Sequence, residues 1–381
     1  MAKANSTARV SEKKPKARTD LDVQDEREVD DDASTDDTVA IESYDITSFG
    51  ADYDVEGLVK RLNRNDIFIP PFQRDYVWNM NEASRFIESL LLGLPVPGIF
   101  LAREQETNKL LVIDGQQRLK TLQFFYNGYF NPKKEDKSQK VFTLTRVQPK
   151  FDQLRYDTLE EKDRLRLNDS IIHATIVKQE SPDDNDTSIY YIFERLNNGG
   201  QKLTPQEIRV AIYHGRLLKS IKQWNAFPAW RTLYGKQSPR LKDQELILRF
   251  LAFYENAKGY NRPMSEFINR FAMKYRNAEM RSLELWGNLF KSAITLLSDA
   301  VGKTAFRPES TINAAIFDSV MVGLCSRMKS GPIKDTASVK AAYSDLLSKS
   351  EFMASVSRST ADVRFVATRI KMATETFAKL A

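Results

Sequence analysis

A short polar turn between a predicted strand and a predicted helix is the part of this sequence best suited to chemistry. Asp114, Gly115, Gln116, Gln117 and Arg118 follow one another in it. Glycine lets the backbone approach a ligand closely, the free N–H groups of a helix N-terminus favour an anion, and an arginine one turn further on can bind phosphate with two hydrogen bonds. The same residues also suit an ordinary helix start that Asp114 caps while the glutamines lie in solvent. The local pattern fits both interpretations equally.

The elements that flank this turn follow from hydrophobic periodicity. Residues 110–113 form a short apolar run with β-branched side chains, which predicts a buried strand. Leu119, Leu122 and Phe125 then recur at helical spacing, and Gly128 predicts the end of that helix. A second apolar run, residues 99–102, precedes a polar turn. The two runs predict a hairpin that leads directly into Asp114.

A second group of polar side chains lies upstream, in residues 67–78. Two adjacent prolines exclude a helix there and favour an edge strand or an irregular strand. Gln73 and Arg74 are set among aromatic and apolar neighbours, namely Phe72, Tyr76, Val77 and Trp78. Arg74 either pairs with a carboxylate such as Asp75 while half-buried, or lines a pocket with aromatic walls. We favour the pocket.

The second half of the chain is predicted to be helical almost throughout. Residues 197–200 are a permissive loop beside Arg195, which fits either a site or an ordinary turn. Thr204, Pro205 and Glu207 then supply a capping hydroxyl, a proline in the first helical position and a reciprocal carboxylate. A helix therefore begins at residue 205, and helical periodicity continues beyond it.

Residues 216–242 stand out by their charge, because they hold seven lysines and arginines and no carboxylate. Aromatic side chains interleave with these cations. Cations combined with stacking surfaces suit the backbone and bases of a nucleic acid. A solvated helix face above core aromatics fits equally well. The candidate nucleic-acid contacts are Lys219, Lys222, Trp224, Trp230 and Arg231.

The charge of the chain is divided unevenly along its length. The first 39 residues carry 7 basic and 11 acidic side chains, so residues 40–381 carry 50 and 40, a net charge of +10. A part that basic is compatible with a polyanionic partner such as DNA. Residues 1–40 combine charge blocks with few large apolar side chains, which predicts a disordered tail.

Composition limits the class of protein and its compartment. With 381 residues, 41% of them hydrophobic, the chain has the composition of a soluble globular protein and room for two domains. Its one cysteine, Cys325, and its two histidines give no basis for a disulfide, a zinc cluster or a histidine-based metal site. The first 40 residues lack an apolar signal sequence, and charges and prolines interrupt the most hydrophobic stretch. We expect a cytoplasmic protein without membrane contact.

Three stretches together resemble one known family. Residues 72–78 (Phe-Gln-Arg-Asp-Tyr-Val-Trp), 114–119 (Asp-Gly-Gln-Gln-Arg-Leu) and 193–200 (Phe-Glu-Arg-Leu-Asn-Asn-Gly-Gly) resemble, in that order, the N-terminal domain of GmrSD-type restriction endonucleases, a ParB/sulfiredoxin-like family. The Asp-Gly-Gln-Gln-Arg signature is the most specific of the three. The resemblance covers residues 45–220, and the helical remainder matches more loosely.

The resemblance implies an α+β fold, with a ParB/sulfiredoxin-like domain over residues 41–203 followed by an all-helical domain over residues 204–381. It further implies that the signature binds and hydrolyses a nucleoside triphosphate, ATP or GTP, with Mg²⁺ as a further candidate cofactor, in defence against foreign DNA. Carried over, the nucleotide-binding residues are Gln73, Arg74 and Gly115. The implied catalytic residues are Asp114, Gln116, Gln117 and Arg118.

One departure from the family affects the expected activity. Many relatives add a nuclease domain with a His-Asn-His-type metal site, but no histidine follows His214 here. We therefore expect DNA cleavage to need a partner nuclease or modification protein, or the ParB-like domain itself. The leading hypothesis is a nucleotide-dependent DNA sensor. The alternatives are a ParB-like DNA-binding or regulatory protein without turnover, and a nuclease that acts through the ParB-like site.

Overall fold

The computed structural model describes residues 29–30, 45–69, 76–104, 107–132, 139–181, 187–196 and 203–381. These residues combine one five-stranded mixed sheet with helices, and the chain is helical almost throughout its second half. The mixed α+β class and the helical C-terminal part predicted from the sequence are confirmed. No helix in this described part is long and apolar enough to cross a membrane. The limits predicted for the domains stay predictions.

The sheet carries the polar turn at the end of one of its inner strands. Its strands are β2 (Asp45–Asp54), β3 (Ile67–Phe68), β4 (Ile99–Arg103), β5 (Leu110–Asp114) and β6 (Ile171–Ser181), in the spatial order β2-β6-β4-β5-β3. The hairpin predicted from residues 99–113 is the antiparallel pair β4–β5. Strand β4 also pairs in parallel with β6, which comes about 70 residues later in the chain. The turn is therefore anchored in the middle of the sheet.

The two faces of the sheet bury their side chains in different cores. Leu110 and Val112 of β5 lie in a core formed with helices α1 (Val55–Asn63), α2 (Met80–Leu91), α3 (Gln116–Asn127) and α4 (Glu161–Asn168). Leu111 and Ile113 lie in a second core, which continues into the helical part of the chain. Because side chains alternate across a strand, a strand covered on both faces is apolar at every position. This double burial explains the unbroken apolar run at 110–113.

The second core is built almost entirely by helices. They are α5 (Thr187–Leu196), α6 (Pro205–Ile212), α7 (Arg216–Asn225), α8 (Pro228–Tyr234), α9 (Lys242–Asn256), α10 (Met264–Lys274), α11 (Met280–Ala300), α12 (Ala314–Met328), α13 (Thr336–Ser348), α14 (Ser350–Ser357) and α15 (Val363–Phe377). Fully buried aromatic rings lie at its centre, among them Trp230, Phe250 and Phe290. The predicted start of α6 is confirmed, since the Thr204 hydroxyl accepts from the Glu207 amide while Glu207 caps Thr204 in return.

Two segments have a structure that differs from their sequence pattern. The alternating apolar residues 141–144 fit a strand, but Val141 forms only an isolated bridge with Tyr129, while the side chains of Phe142 and Leu144 are buried. Alternating apolar residues can thus mark an anchored loop as well as a strand. Within the predicted tail, β1 (Val29–Asp30) pairs in parallel with β7 (Ile312–Asn313). The other residues up to 40 lie outside the described residues.

Candidate functional site

The polar turn joins the end of β5 to the start of α3. Gly115 occupies the N-cap position with φ of +99°, and the structure shows no side-chain hydrogen bond at this cap. The interpretation in which Asp114 caps the helix is therefore wrong. Backbone N–H groups in the first turn of an α-helix have no partner within the helix itself, and such groups favour an anion.

Glycine is required at position 115 for two separate reasons. Its positive φ is a conformation that residues with a Cβ adopt only with strain. In addition, a Cβ placed on Gly115 would lie 2.5 Å from Cγ2 of Ile99, which is buried in the neighbouring strand β4. Gly115 thus allows the backbone of the turn to lie close to strand β4 of the sheet.

Asp114 and Arg118 form an ion pair across the turn. Arg118 Nη2 donates to Asp114 Oδ2 at 2.7 Å. The Arg118 side chain is only 14% exposed, whereas that of Asp114 is 53% exposed. The Arg118 guanidinium is thus mostly buried, whereas the Asp114 carboxylate lies on the solvent-exposed side of the turn. Gln116, in the first position of the helix, is half-buried.

Gln117 connects this turn to the upstream stretch that contains Arg74. Its Oε1 accepts hydrogen bonds from the backbone N–H groups of Val77 at 3.0 Å and of Trp78 at 3.3 Å. A carbonyl oxygen has two acceptor positions, and both are used here. Gln117, which the family resemblance implies to be catalytic, therefore holds a backbone segment from about 40 positions earlier in the sequence.

A second contact fixes the same segment one turn further along α3. The Tyr76 hydroxyl and the Thr121 hydroxyl are 2.7 Å apart, and Thr121 also donates to the backbone oxygen of Gln117. The Tyr76 ring packs edge-on against Phe124 and Phe130. Burial is the main reason that the pKa of Tyr76 rises to about 12. The hydroxyl stays protonated at neutral pH and keeps this hydrogen bond.

Sequence reasoning missed Thr121, although a signal was present. Thr121 is a polar residue on the apolar face of α3, next to Leu122, and its side chain is fully buried. A buried hydroxyl needs a hydrogen-bond partner, and such a residue therefore predicts a polar contact. The sequence could not identify Tyr76 as that partner, because the two lie in different elements.

Gln73 and Arg74 lie outside the described residues, so their predicted place beside the turn stays a prediction.

The basic segment 216–242 divides into buried and exposed parts. Trp230 is fully buried and Trp224 nearly so, and Trp230 Nε1 donates to Asn225 Oδ1 at 2.8 Å. Arg231 pairs with the buried carboxylate of Asp243 at 2.9 Å. This burial argues against the predicted stacking of Trp224 and Trp230 on bases, and we replace it by a packing role. Asp243 lies one residue beyond the carboxylate-free segment 216–242. For this reason the sequence alone did not identify it as the partner of Arg231.

Lys219 and Lys222 differ from these residues because both are exposed on α7. They are three positions apart and so share one face of the helix. Burial, followed by the nearby charges of Lys219 and Arg276, lowers the pKa of His214, so this imidazole adds no charge to the surface at neutral pH. The exposed lysines remain candidates for contacts with phosphates.

Arg276, which lies between α10 and α11, contacts both the β4–β5 hairpin and the start of helix α7. Arg276 forms an ion pair with Glu104 at the tip of the β4–β5 hairpin, and its Nε donates to the backbone oxygen of His214 at 2.7 Å. Its own backbone oxygen accepts from the Leu217 amide of α7. Burial alone would raise the pKa of Glu104, but hydrogen bonds from Thr107 and Arg276 outweigh it and lower that pKa.

The turn offers limited means to hold a metal ion. Asp114 is the carboxylate that the described turn supplies, and one of its oxygens is engaged by Arg118. Across the described ranges, no group of three or more histidine, cysteine, aspartate or glutamate residues is placed to bind a metal ion. Mg²⁺ often binds through one carboxylate together with the phosphates of a substrate. The donor set of the turn fits that mode and does not fit an all-protein metal cage.

A comparison with protein families found one match. Residues 55–214 match the family described as the N-terminal domain of the GmrSD restriction endonuclease. The matched range begins at α1, includes β5 and the polar turn, and ends just after α6. No curated protein and no solved structure matched the chain.

Proposed function

Residues 55–214 belong to the GmrSD N-terminal domain family, and from this premise we propose that the chain is a nucleotide-dependent DNA-sensing module of a restriction or anti-phage defence system. We further propose that its sheet domain is ParB-like and that ATP or GTP binds at the Asp114–Arg118 turn. In this proposal Lys219 and Lys222 contact DNA. A partner nuclease or modification protein then acts on the bound DNA.

One observation carries the nucleotide proposal. The N-cap residue of α3 is Gly115, which has no side chain, and Arg118 is held beside the start of this helix by its ion pair with Asp114. Backbone N–H groups and an arginine together bind phosphate oxygens well. The pair also keeps the guanidinium oriented before a ligand arrives, so less conformational entropy is lost on binding.

The other steps of phosphoryl transfer are assigned to individual residues as follows. Arg118 and Arg74 neutralise the charge that develops on the transferred phosphoryl group. Gln116 or Gln117 orients the attacking water; the carbonyl oxygen of Gln117 already accepts from two backbone N–H groups in the structure. Asp114 is the residue that would accept the proton of the water or hold Mg²⁺. When bound, Mg²⁺ would offset the charge of the phosphates.

Hydrolysis of ATP and GTP, measured with and without Mg²⁺ and duplex DNA, tests the proposal. We expect phosphate release by the wild-type protein and a large loss in Arg118→Ala. Arg85→Ala is the matched control, because Arg85 is an exposed arginine of the neighbouring helix α2 and should leave the rate unchanged. If both nucleotides stay intact under every condition, the hydrolase proposal fails.

The ion pair also favours a second candidate function, a ParB-like protein that binds nucleotide without turnover. The Asp114 oxygen that accepts the hydrogen bond from Arg118 is already occupied, so it is not free to accept a proton from water or to bind a metal ion. In this case the wild-type protein would bind ATP or GTP but release no phosphate. Arg118→Ala would then abolish the response to nucleotide in DNA binding, and Asp114→Asn would leave that response in place.

A further inference from the structure

A cleft of about 440 Å³ opens between residues 275–279, which link α10 to α11, and Tyr213, which directly follows α6. We propose that this cleft binds one unpaired base of the DNA whose phosphates Lys219 and Lys222 contact. The proposal rests on the proposed DNA binding and adds to it where a base is received. The volume falls within the range of about 300–1,000 Å³ that is usual for ligand sites.

The walls of the cleft suit the stacking of a planar group. Tyr213 and Tyr275 both line it. The Tyr275 ring is held by the core, since it packs edge-on against Trp286 at 5.3 Å and tilted against Phe271 at 4.8 Å between ring centres. The ammonium of the exposed Lys274 lies 5.3 Å from the centre of the same ring. A base can replace this ammonium on the ring, because the flexible lysine side chain can turn to a neighbouring phosphate.

The charges around the cleft nearly cancel one another. Arg276 is paired with Glu104, while the exposed Lys274 and Glu279 carry opposite charges. A lining without net charge does not favour a phosphate group and suits a neutral group such as a base. Asn277, which also lines the cleft, has a side-chain amide with both a donor and an acceptor, as the polar edge of a base requires.

The linker that forms the cleft is bonded to the start of the basic helix α7. The Leu217 amide donates to the backbone oxygen of Arg276 at 3.1 Å, and Arg216 Nη2 donates to that of Asn277 at 2.7 Å. A Cβ on Gly215 would collide with the backbone oxygen of Arg276, so the two segments lie in close contact. The cleft and α7 are thus fixed relative to each other before DNA binds, which reduces the entropy lost on binding.

The exposed lysines of α7 begin close to this cleft. Arg276, which lines the cleft, donates from Nε to the backbone oxygen of His214. Burial and then the charge of Lys219 lower the pKa of His214, so the Lys219 ammonium lies near this imidazole. Lys222 follows on the same face of the helix. A DNA backbone bound by Lys222 and Lys219 therefore leads towards the cleft.

Fluorescence anisotropy with three DNA duplexes of the same length tests the proposal. One duplex is fully paired, one has an extra unpaired adenine in one strand, and one has an extra nucleotide without a base at the same place. We expect the wild-type protein to bind the duplex with the unpaired adenine about 5- to 150-fold more tightly than the other two, the factor that stacking of one base supplies. The duplex without the extra base controls for the kink that an extra nucleotide causes.

Two variants show whether the preference arises in the cleft. Tyr275→Ala should reduce it to less than about twofold, whereas Tyr275→Phe should keep it, because stacking needs the ring and not the hydroxyl. Ala278→Leu fills the cleft without removing a side chain from the core, so it tests the site even where Tyr275→Ala does not fold. Its matched control is Asn288→Leu on the exposed face of α11, which should leave the preference unchanged.

The outcomes separate this inference from the proposed function. If the wild-type protein binds none of the duplexes, the proposed DNA binding fails and the inference fails with it. If the protein binds all three duplexes equally, or if the preference persists in folded Tyr275→Ala and Ala278→Leu, only the inference is overturned. Loss of the preference in these variants, with unchanged affinity for the fully paired duplex, supports it.

Discussion

Replacing Gly115 by alanine is the most direct test of how the turn is built. The new Cβ would have to adopt φ of +99° and would lie 2.5 Å from Cγ2 and 3.0 Å from Cβ of Ile99. Ile99 cannot move aside easily, because it is a β-branched residue buried in an inner strand of the sheet. The substitution therefore imposes backbone strain and overpacking at the same point.

The two effects have separate magnitudes. A left-handed backbone conformation costs a residue with a Cβ about 1–2 kcal/mol. Overpacking of a well-packed core adds about 1–3 kcal/mol. We expect Gly115→Ala to lower the free energy of unfolding by about 2–5 kcal/mol, the sum of both. Gly128→Ala should cost only the first, about 1–2 kcal/mol, because φ is +81° there and no atom of the described residues lies within 4 Å of the added Cβ.

Urea denaturation of both variants, followed by far-UV circular dichroism, measures the difference. The double variant Gly115→Ala/Ile99→Ala should lose less than the sum of its single variants, because Ile99→Ala removes the atom that clashes most closely. If Gly115→Ala costs no more than Gly128→Ala, the approach of the turn to β4 does not constrain the sequence and the reasoning is refuted.

Three further predictions concern the helical part of the chain and its contact with the hairpin. Because the pKa of Glu104 is lowered, its pair with Arg276 stabilises the fold at pH values above the ordinary pKa of 4.5. This stabilisation is lost as the pH falls through the lowered pKa. We therefore expect the melting temperature of Glu104→Gln to fall less steeply below pH 4.5 than that of the wild-type protein. Reversal of Lys219 and Lys222 to glutamate should weaken duplex DNA binding and reduce the slope of log K against log salt by about 1.8, at about 0.9 for each phosphate that a lysine no longer neutralises; an unchanged slope in a folded variant would leave α7 without a role in DNA binding. Trp230→Ala should lower the free energy of unfolding by about 3–5 kcal/mol, measured in urea, because the ring is fully buried; a small decrease would show that the ring is not part of the core.

The local structure of the candidate site was predictable from the sequence alone. The apolar run at 110–113, the break at Gly115 and the helix that ends before Gly128 depend on interactions between residues a few positions apart. The capping box at Thr204 is equally local and has the predicted form. Such features are set by backbone conformation and by side-chain reach within one turn. They identify where a site can lie, but not how its parts meet.

The relation between distant segments was decided only by the tertiary structure. The role of Gln117 depends on Val77 and Trp78, and that of Arg231 depends on Asp243. From sequence, an amide beside an arginine and a tryptophan among cations each fit a binding site as well as a structural contact. Burial and a specific partner distinguish the two, and both arise only when the sheet and the helices pack together. Sequence thus determined the strand, turn and helix around Asp114, while packing determined which of their polar side chains remain available to a ligand.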